Sequence, residues 1–330
     1  MRKQGRVRTL DLFCGVGGSS WGARAAGAEI LCGVDAWDLA ARTYTANFGP
    51  GTGVHRTLVE KGRLPLTDRL DGIDVILASP ECRSHTCARG SRQRDELSRR
   101  TARYVLRFAR KLMPRWIVIE NVIHMRNWDG FPDLISETEA LGYNVRPQVL
   151  DASAFGVPQK RRRLFLMCDR ETMPGLVSAP RLEPRSVRSH VIMWNSPWLS
   201  KPLYRAGRAD ATIEKAERAM DALGRGVPFL IVYYGSDGAG GWQSLDVPLR
   251  TVTTLDRFGL VTWAGTVPML RMLQPPEIQR AMGFDAAYRL PYGSRRDRIK
   301  LLGNAVCPPV MRAVVASVLH DRSDLGRQAA

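Results

Sequence analysis

The sequence predicts an α/β fold: a mostly parallel sheet covered on both faces, with a small inserted domain of irregular β structure and loops. Three observations lead there. Strand-length apolar runs recur with helically spaced segments between them, the alternation that builds a parallel sheet. The first run passes straight into a glycine turn at Gly15, Gly17 and Gly18, as where a strand feeds a helix. After Cys168 the texture breaks into a proline-rich, poorly periodic stretch.

The strand-like runs fall at residues 8–13, 30–34, 75–78, 116–119, 144–150 and 164–168. A helix is expected to begin near Ser19 or Ser20. Residues 98–113 make a second helix, with Ala102, Val105, Leu106, Ala109 and Leu112 at helical spacing and Pro114 as its stop. Arg99, Arg103, Arg107 and Arg110 share another face, read as solvated. Beyond Cys168 come Pro174, Pro180, Pro184, Pro197 and Pro202, interleaved with Trp194 and Trp198. A strand-like run at 229–234 and a glycine patch at 235–241 follow. Helical patterning returns at 274–282 and 309–319. The expected division is therefore 1–168 with 267–330 as one domain, and 169–266 as the insert.

The 330 residues carry a net charge of +17, which favours a polyanionic partner, since counterion release scales with phosphate contacts made by Lys and Arg. The sequence shows no apolar leader and no long apolar span, so the expectation is a cytoplasmic protein without a membrane partner. Its six cysteines are scattered and imply no disulfide framework.

Chemistry enters at the strand ends. The turn after the first strand lacks the third glycine of the dinucleotide fingerprint, where Ser20 stands, and this disfavours a nicotinamide oxidoreductase. Asp35 ends the second strand, where a carboxylate accepts ribose hydroxyls of an adenosine cofactor. Ser79-Pro80-Glu81-Cys82-Arg83 ends the third, the edge where open α/β sheets place ligands. Cys82 is a candidate nucleophile, with Arg83, His85 and Arg89 near enough in sequence to favour its thiolate. Cys87 is a rival thiol; Cys82, His85 and Cys87 lack a fourth ligand, which disfavours zinc, and no metal is expected.

The ordered motifs Asp11–Gly18, Pro80-Glu81-Cys82-Arg83, Glu120-Asn121-Val122, Gln159-Lys160-Arg161-Arg162-Arg163 and Gly303-Asn304-Ala305-Val306 resemble those of C5-cytosine DNA methyltransferases. The resemblance covers about residues 8–168 and 250–319. It implies a Rossmann-like domain dependent on S-adenosylmethionine, with the insert as target-recognition domain and duplex DNA as partner. It implies a monomer at the nucleoid and leaves any partner restriction enzyme unknown. By resemblance, Cys82 attacks cytosine C6, Glu120 meets N3 and the exocyclic amine, and Arg163 contacts O2. Gln159 and Arg161 organise the nucleophile loop, Asn121 braces its loop through backbone hydrogen bonds, and Arg161 is counted among the catalytic residues. Phe13, Gly15, Gly17, Gly18, Asp35, Asn304 and Val306 are the expected cofactor contacts; Arg83, Arg89, Asn121 and Gln159 the expected substrate contacts. Residues 248–258 look like the family's return from the insert, and Arg181, Arg185, Arg188, Arg205, Arg208 and Trp242 are candidate base readers.

Two departures stand out. The family's loop reads Pro-Pro-Cys-Gln, whereas Glu81 and Arg83 flank Cys82 here. A short Gly-Asp element expected before the nucleophile strand is missing, and Trp37, Asp74 or backbone are the candidates to recognise adenine instead. Two further readings fit the sequence: the same chemistry on RNA, and a DNA-binding protein that has lost catalysis.

Overall fold

A computed structural model describes residues 6–55, 70–81, 101–235 and 240–328. Seven strands form the first sheet: β1 (Arg8–Leu12), β2 (Glu29–Asp35), β3 (Gly53–His55), β4 (Val75–Ala78), β5 (Trp116–Asn121), β6 (Asn144–Asp151) and β7 (Arg162–Asp169). Their order is β3-β2-β1-β4-β5-β7-β6. The first five are parallel, while β7 runs antiparallel to both β5 and β6. Six of these strands coincide with the predicted runs. The seventh, β3, is three residues long and too short to show a periodicity.

Helices α1 (Gly18–Ala25), α2 (Asp38–Phe48), α3 (Thr101–Leu112) and α4 (Phe131–Glu139) flank the sheet. In α3, Ala102, Val105, Leu106 and Ala109 are buried as the spacing predicts, and Leu112 is half-buried. Arg103 is not the solvated residue expected. It lies 2.9 Å from Asp133 and 3.4 Å from Glu137, both on α4, and over the ring of Trp128. Residues 98–100 of the predicted helix lie outside the described residues.

The second sheet is more regular than the sequence suggested. Strands β8 (Lys201–Pro202), β9 (Phe229–Val232), β10 (Trp242–Ser244), β11 (Phe258–Ala264) and β12 (Val267–Met272) are antiparallel in the order β10-β9-β11-β12-β8. Helix α5 (Asp210–Leu223) closes over it, and Ala216, Ala219 and Met220 meet Phe229, Ile231 and Val261 in a separate small core. Pairing with β11 carries β12 to Met272, so this sheet continues past residue 267, where the return to the first domain was expected.

Helices α6 (Pro275–Ala281), α7 (Arg295–Asn304) and α8 (Pro308–Gln328) complete the chain. The stretch Arg295–Leu319 is apolar and long enough to cross a membrane, contrary to the expectation of no such span. It is broken between α7 and α8, and 67% of its apolar window is buried within the fold.

Candidate active site

The C-terminal ends of β1, β2, β4 and β5 open on a single cavity of about 330 Å³. Phe13, Gly15, Asp35, Ala36 and Trp37 line one part; Ser79, Pro80, Glu81, Glu120, Arg161 and Arg163 another; Leu301, Gly303 and Asn304 from α7 also face it. Phe13 has a left-handed backbone (φ 54°), a conformation disfavoured for a bulky residue and one that clusters at ligand sites. Gly15 is also left-handed, and a Cβ added to it would meet nothing within 4 Å, so the turn leaves room for a ligand against bare backbone.

Asp35 accepts the amides of Gly15 and Trp37, each at 2.8 Å and each on a different oxygen. Every carboxylate oxygen has a second lone pair, so capacity for ribose hydroxyls remains. Burial pushes its pKa up, and the two amides oppose that rise. The ammonium of Lys300, on α7, lies 4.3 Å from the Trp37 ring centre and ties that helix to the end of β2. A carboxylate, two aromatic rings and an open glycine turn fit an adenosine cofactor such as S-adenosylmethionine.

Not all expected cofactor contacts line the cavity. Phe13, Gly15, Asp35 and Asn304 do. Gly17 is instead packed on the rings of Phe48 and Tyr44, while Gly18 and the Val306 carbonyl pack on each other. These three shape the turn from behind. Ala36, Ala40, Thr101 and Leu301 line the cavity without any sequence signal having marked them.

At the base end, Glu120 Oε1 lies 3.2 Å from Arg163 Nε, and both side chains are largely buried. Burial raises the Glu120 pKa; Arg163, then Arg161, then the Ser79 hydroxyl pull it back. Residues 159–163 alternate as a strand should: Gln159 and Arg161 are buried, Lys160 and Arg162 exposed.

The inward pair is tied to segments far along the chain. Gln159 is fully buried and touches no open surface. Its amide donates to the Ala281 carbonyl at 3.0 Å and accepts the Val252 amide at 2.8 Å, so the expected substrate contact is a brace for the returning chain. Arg161 donates to the carbonyls of Val252, Gly303 and Ala305 at 2.9, 2.9 and 3.1 Å. Its guanidinium holds the return segment and α7 against the cavity. Asn121, read both as a substrate contact and as a brace for its loop, is buried; its amide donates to the Pro80 carbonyl at 3.2 Å and its side-chain oxygen accepts the Val122 amide at 2.8 Å.

Residues 249–252, within the stretch read as the return from the insert, lie against residues 159–161 before the chain goes back into the second sheet as β11. Leu249 pairs with Gln159, and the Thr251 hydroxyl donates to the Lys160 carbonyl at 2.8 Å. Among the proposed base readers, Arg188 is engaged by Asp246 at 2.6 Å, Arg208 donates to the Leu203 and Pro202 carbonyls, and Trp242 packs on the small core. Arg181, Arg185 and Arg205 are exposed. Cys82, Arg83, His85, Cys87 and Arg89 lie outside the described residues. So does most of the basic run at residues 83–115, up to residue 100.

The family model for C-5 cytosine-specific DNA methylases matches residues 7–320. The Type II methyltransferase M.AplI of Arthrospira platensis is 28% identical over 96% of this chain and 86% of its own length. M.AgeI of Thalassovita gelatinovora is 29% identical over 58% of this chain, and that match spans only 46% of M.AgeI. In fold, the chain is similar to the Entamoeba histolytica methyltransferase EhMeth, with a TM-score of 0.68 at 15% identity over 96% of this chain and 99% of that one.

Proposed function

We propose a reaction for this chain, which belongs to the C-5 cytosine-specific DNA methylase family: transfer of a methyl group from S-adenosylmethionine to C5 of a cytosine flipped out of duplex DNA. The observation that carries it is one cavity holding an adenosine-type cradle, Phe13, Gly15 and Asp35, together with the buried Glu120–Arg163 pair.

The chemistry follows from that pairing. A cytosine ring carbon is unreactive until a nucleophile adds to C6 and pushes electron density toward N3. The Cys82 thiolate is the nucleophile, assigned by its place in the sequence Pro80-Glu81-Cys82-Arg83. Glu120 carries a proton more readily than an exposed carboxyl, because burial raises its pKa, and it delivers that proton to N3 as charge builds there. Arg163 holds O2 and keeps Glu120 oriented. S-adenosylmethionine, when bound, supplies an electrophilic methyl group beside the activated C5. Loss of the C5 proton, departure of Cys82 and return of the N3 proton to Glu120 restore the ring.

Reaching C5 requires taking the base out of the stack, at a few kcal/mol. The exposed Lys160 and Arg162 offer phosphate contacts that offset this cost. The second sheet supplies sequence recognition, and the working unit is a single chain.

The test is to incubate purified protein with S-adenosylmethionine and mixed-sequence duplex DNA, then map 5-methylcytosine base by base, with Cys82→Ala in parallel. Methylation at a defined sequence by the wild type alone is the expected result. Duplex binding without methylation, or methylation of transfer RNA only, would overturn it.

A further inference from the structure

We propose that a second, cationic cleft beside the catalytic cavity grips the backbone of the DNA duplex, a role that rests on the DNA-modifying reading above. The cleft, about 370 Å³, opens between residues 254–257 and the first turns of α7. Thr254, Leu255, Asp256 and Arg257 form one wall; Arg295 and Arg296 stand on the other. Three guanidinium groups therefore face one carboxylate. That carboxylate is already taken: Asp256 lies 2.5 Å from Arg295, and the pair ties the two walls together. Arg295 also donates to the Gln274 side chain at 3.0 Å and to the Leu273 carbonyl at 2.8 Å, so it serves as a strut. Arg257 and Arg296 carry the remaining charge. Arg257 spends Nη1 on the Tyr233 carbonyl at 2.9 Å, which leaves the rest of its fork for a ligand. Arg296 is exposed.

The wall at residues 254–257 is set before any ligand arrives. Just ahead of it, the Val252 amide donates to Gln159 at 2.8 Å and the Val252 carbonyl accepts Arg161 at 2.9 Å. The Thr253 carbonyl rests against Gly303, where there is no room for a side chain. The Leu255 amide donates to the Thr253 hydroxyl at 3.3 Å, and the Tyr233 amide donates to the Arg257 carbonyl at 2.9 Å. A segment fixed at both ends loses little freedom on docking, so more of its contact energy appears as affinity.

Leu255 selects the partner. It is 45% exposed in the middle of this charged wall. A free inorganic anion offers such a side chain nothing. A nucleic-acid backbone does, because apolar sugar carbons lie between its phosphates. The planar fork of Arg257 matches two phosphate oxygens, and the Thr254 hydroxyl can donate to a third. Position agrees with chemistry. Helix α7 lines this cleft with Arg295 and Arg296 and the catalytic cavity with Leu301, Gly303 and Asn304. Eight residues of helix separate Arg296 from Asn304, about 12 Å of rise, or roughly three to four steps along one strand of a duplex. One duplex can thus meet the cleft while a flipped base enters the cavity.

The experiment measures duplex affinity by fluorescence anisotropy, without the methyl donor and across a salt series. It compares wild type, Arg257→Gln, Arg296→Gln, the double variant and Leu255→Asn. A second set of duplexes carries one neutral methylphosphonate linkage, moved phosphate by phosphate along the bound strand. The double variant should lose about 0.9 from its log–log salt slope for each phosphate given up. A neutral linkage at the gripped phosphate should weaken wild-type binding and leave the double variant unaffected. Leu255→Asn should weaken binding with the slope unchanged. Melting temperature and S-adenosylmethionine affinity stay at wild-type values and report that fold and cavity are intact. A double variant with the wild-type slope and the wild-type response to every neutral linkage would overturn the proposal. So would a wild type whose melting temperature is raised by inorganic phosphate through Arg257 and Arg296 while its duplex slope ignores both, the behaviour of a small-anion site. A wild type that binds the duplex without methylating it would sink the methyl-transfer reading and not this surface, since the binding measurements need no methyl transfer.

Discussion

Glu120 sits between two opposed influences, and their balance is measurable. Burial raises its pKa, while Arg163 is the largest influence pulling it down. Because Glu120 acts in its protonated form, the rate should fall as pH rises through that raised pKa. Arg163→Met removes the main stabiliser of the carboxylate. The descending limb of the pH–rate profile should then move to higher pH even as turnover drops, and an unmoved limb would assign the limb to another group. Glu120→Gln should lose about 10²- to 10⁴-fold in turnover and lose that limb altogether. A second buried acid tests the cofactor turn. Asp11 is fully buried, accepts the Ser20 hydroxyl at 2.7 Å, and that hydroxyl also meets the Tyr44 hydroxyl at 2.6 Å. Burial, and to a lesser degree the charge of Asp35, push Asp11 from 3.8 to about 7, with Ser20 opposing. The folded chain therefore keeps a proton that the unfolded chain releases. Stability from this group is full below about pH 4, falls as pH rises, and is lost above about pH 7. The span is on the order of 4 kcal/mol. Urea titrations at several pH values should show that slope in the wild type and not in Asp11→Asn.

At the level of elements, the five residues 159–163 separate what sequence shows from what it hides. Their alternation was legible because a strand puts successive side chains on opposite faces, and the structure buries Gln159 and Arg161 while exposing Lys160 and Arg162. What the buried pair would touch was not legible. Its partners, Val252, Ala281, Gly303 and Ala305, lie far along the chain and offer backbone atoms that any residue has. Arg161 and Arg163 are therefore neighbours with separable duties. Arg161→Lys should cost about 3 kcal/mol of stability, since one ammonium cannot satisfy three carbonyls held in a planar fork. Cofactor affinity should weaken with it, because α7 forms part of the cavity wall. Arg163→Lys should leave the melting temperature nearly unchanged and reduce turnover. Calorimetry and single-turnover rates on the two variants decide this; equal losses of stability would show that the division is wrong. The cavity wall itself was only half legible. Phe13, Gly15 and Asp35 follow from a strand–turn–helix pattern, whereas Ala36, Ala40 and Leu301 contribute apolar surface that carries no motif.

Across the whole molecule, the first sheet was legible because its strands are buried runs bounded by turns, whereas of the second only β9, read as the run at 229–234, was. The strands of the second sheet are short, its prolines fall between elements, and α5 has a sequence whose helical face becomes apparent only against Phe229 and Ile231. The same contrast governs charge. A net charge of +17 counts every Lys and Arg equally, but the structure shows that many are spent internally. Arg188 is held by Asp246, Arg295 by Asp256 at 2.5 Å, and Arg271 by Glu277 at 2.7 Å. Among the described residues, Lys160 and Arg162, exposed on the face opposite Arg161, are cations free to meet phosphate. Duplex affinity should fall linearly in log–log form with salt, with a slope of about −0.9 per phosphate contact. Replacing both Lys160 and Arg162 by Gln should reduce that slope by about 1.8 and weaken binding alike for all sequences. Arg188→Gln should leave the slope where it is, because that guanidinium is already neutralised by Asp246. Fluorescence anisotropy with one labelled duplex across a salt series tests both. A slope that drops equally for Arg188→Gln would mean the Asp246 pair opens onto DNA, and would return Arg188 to the recognition surface.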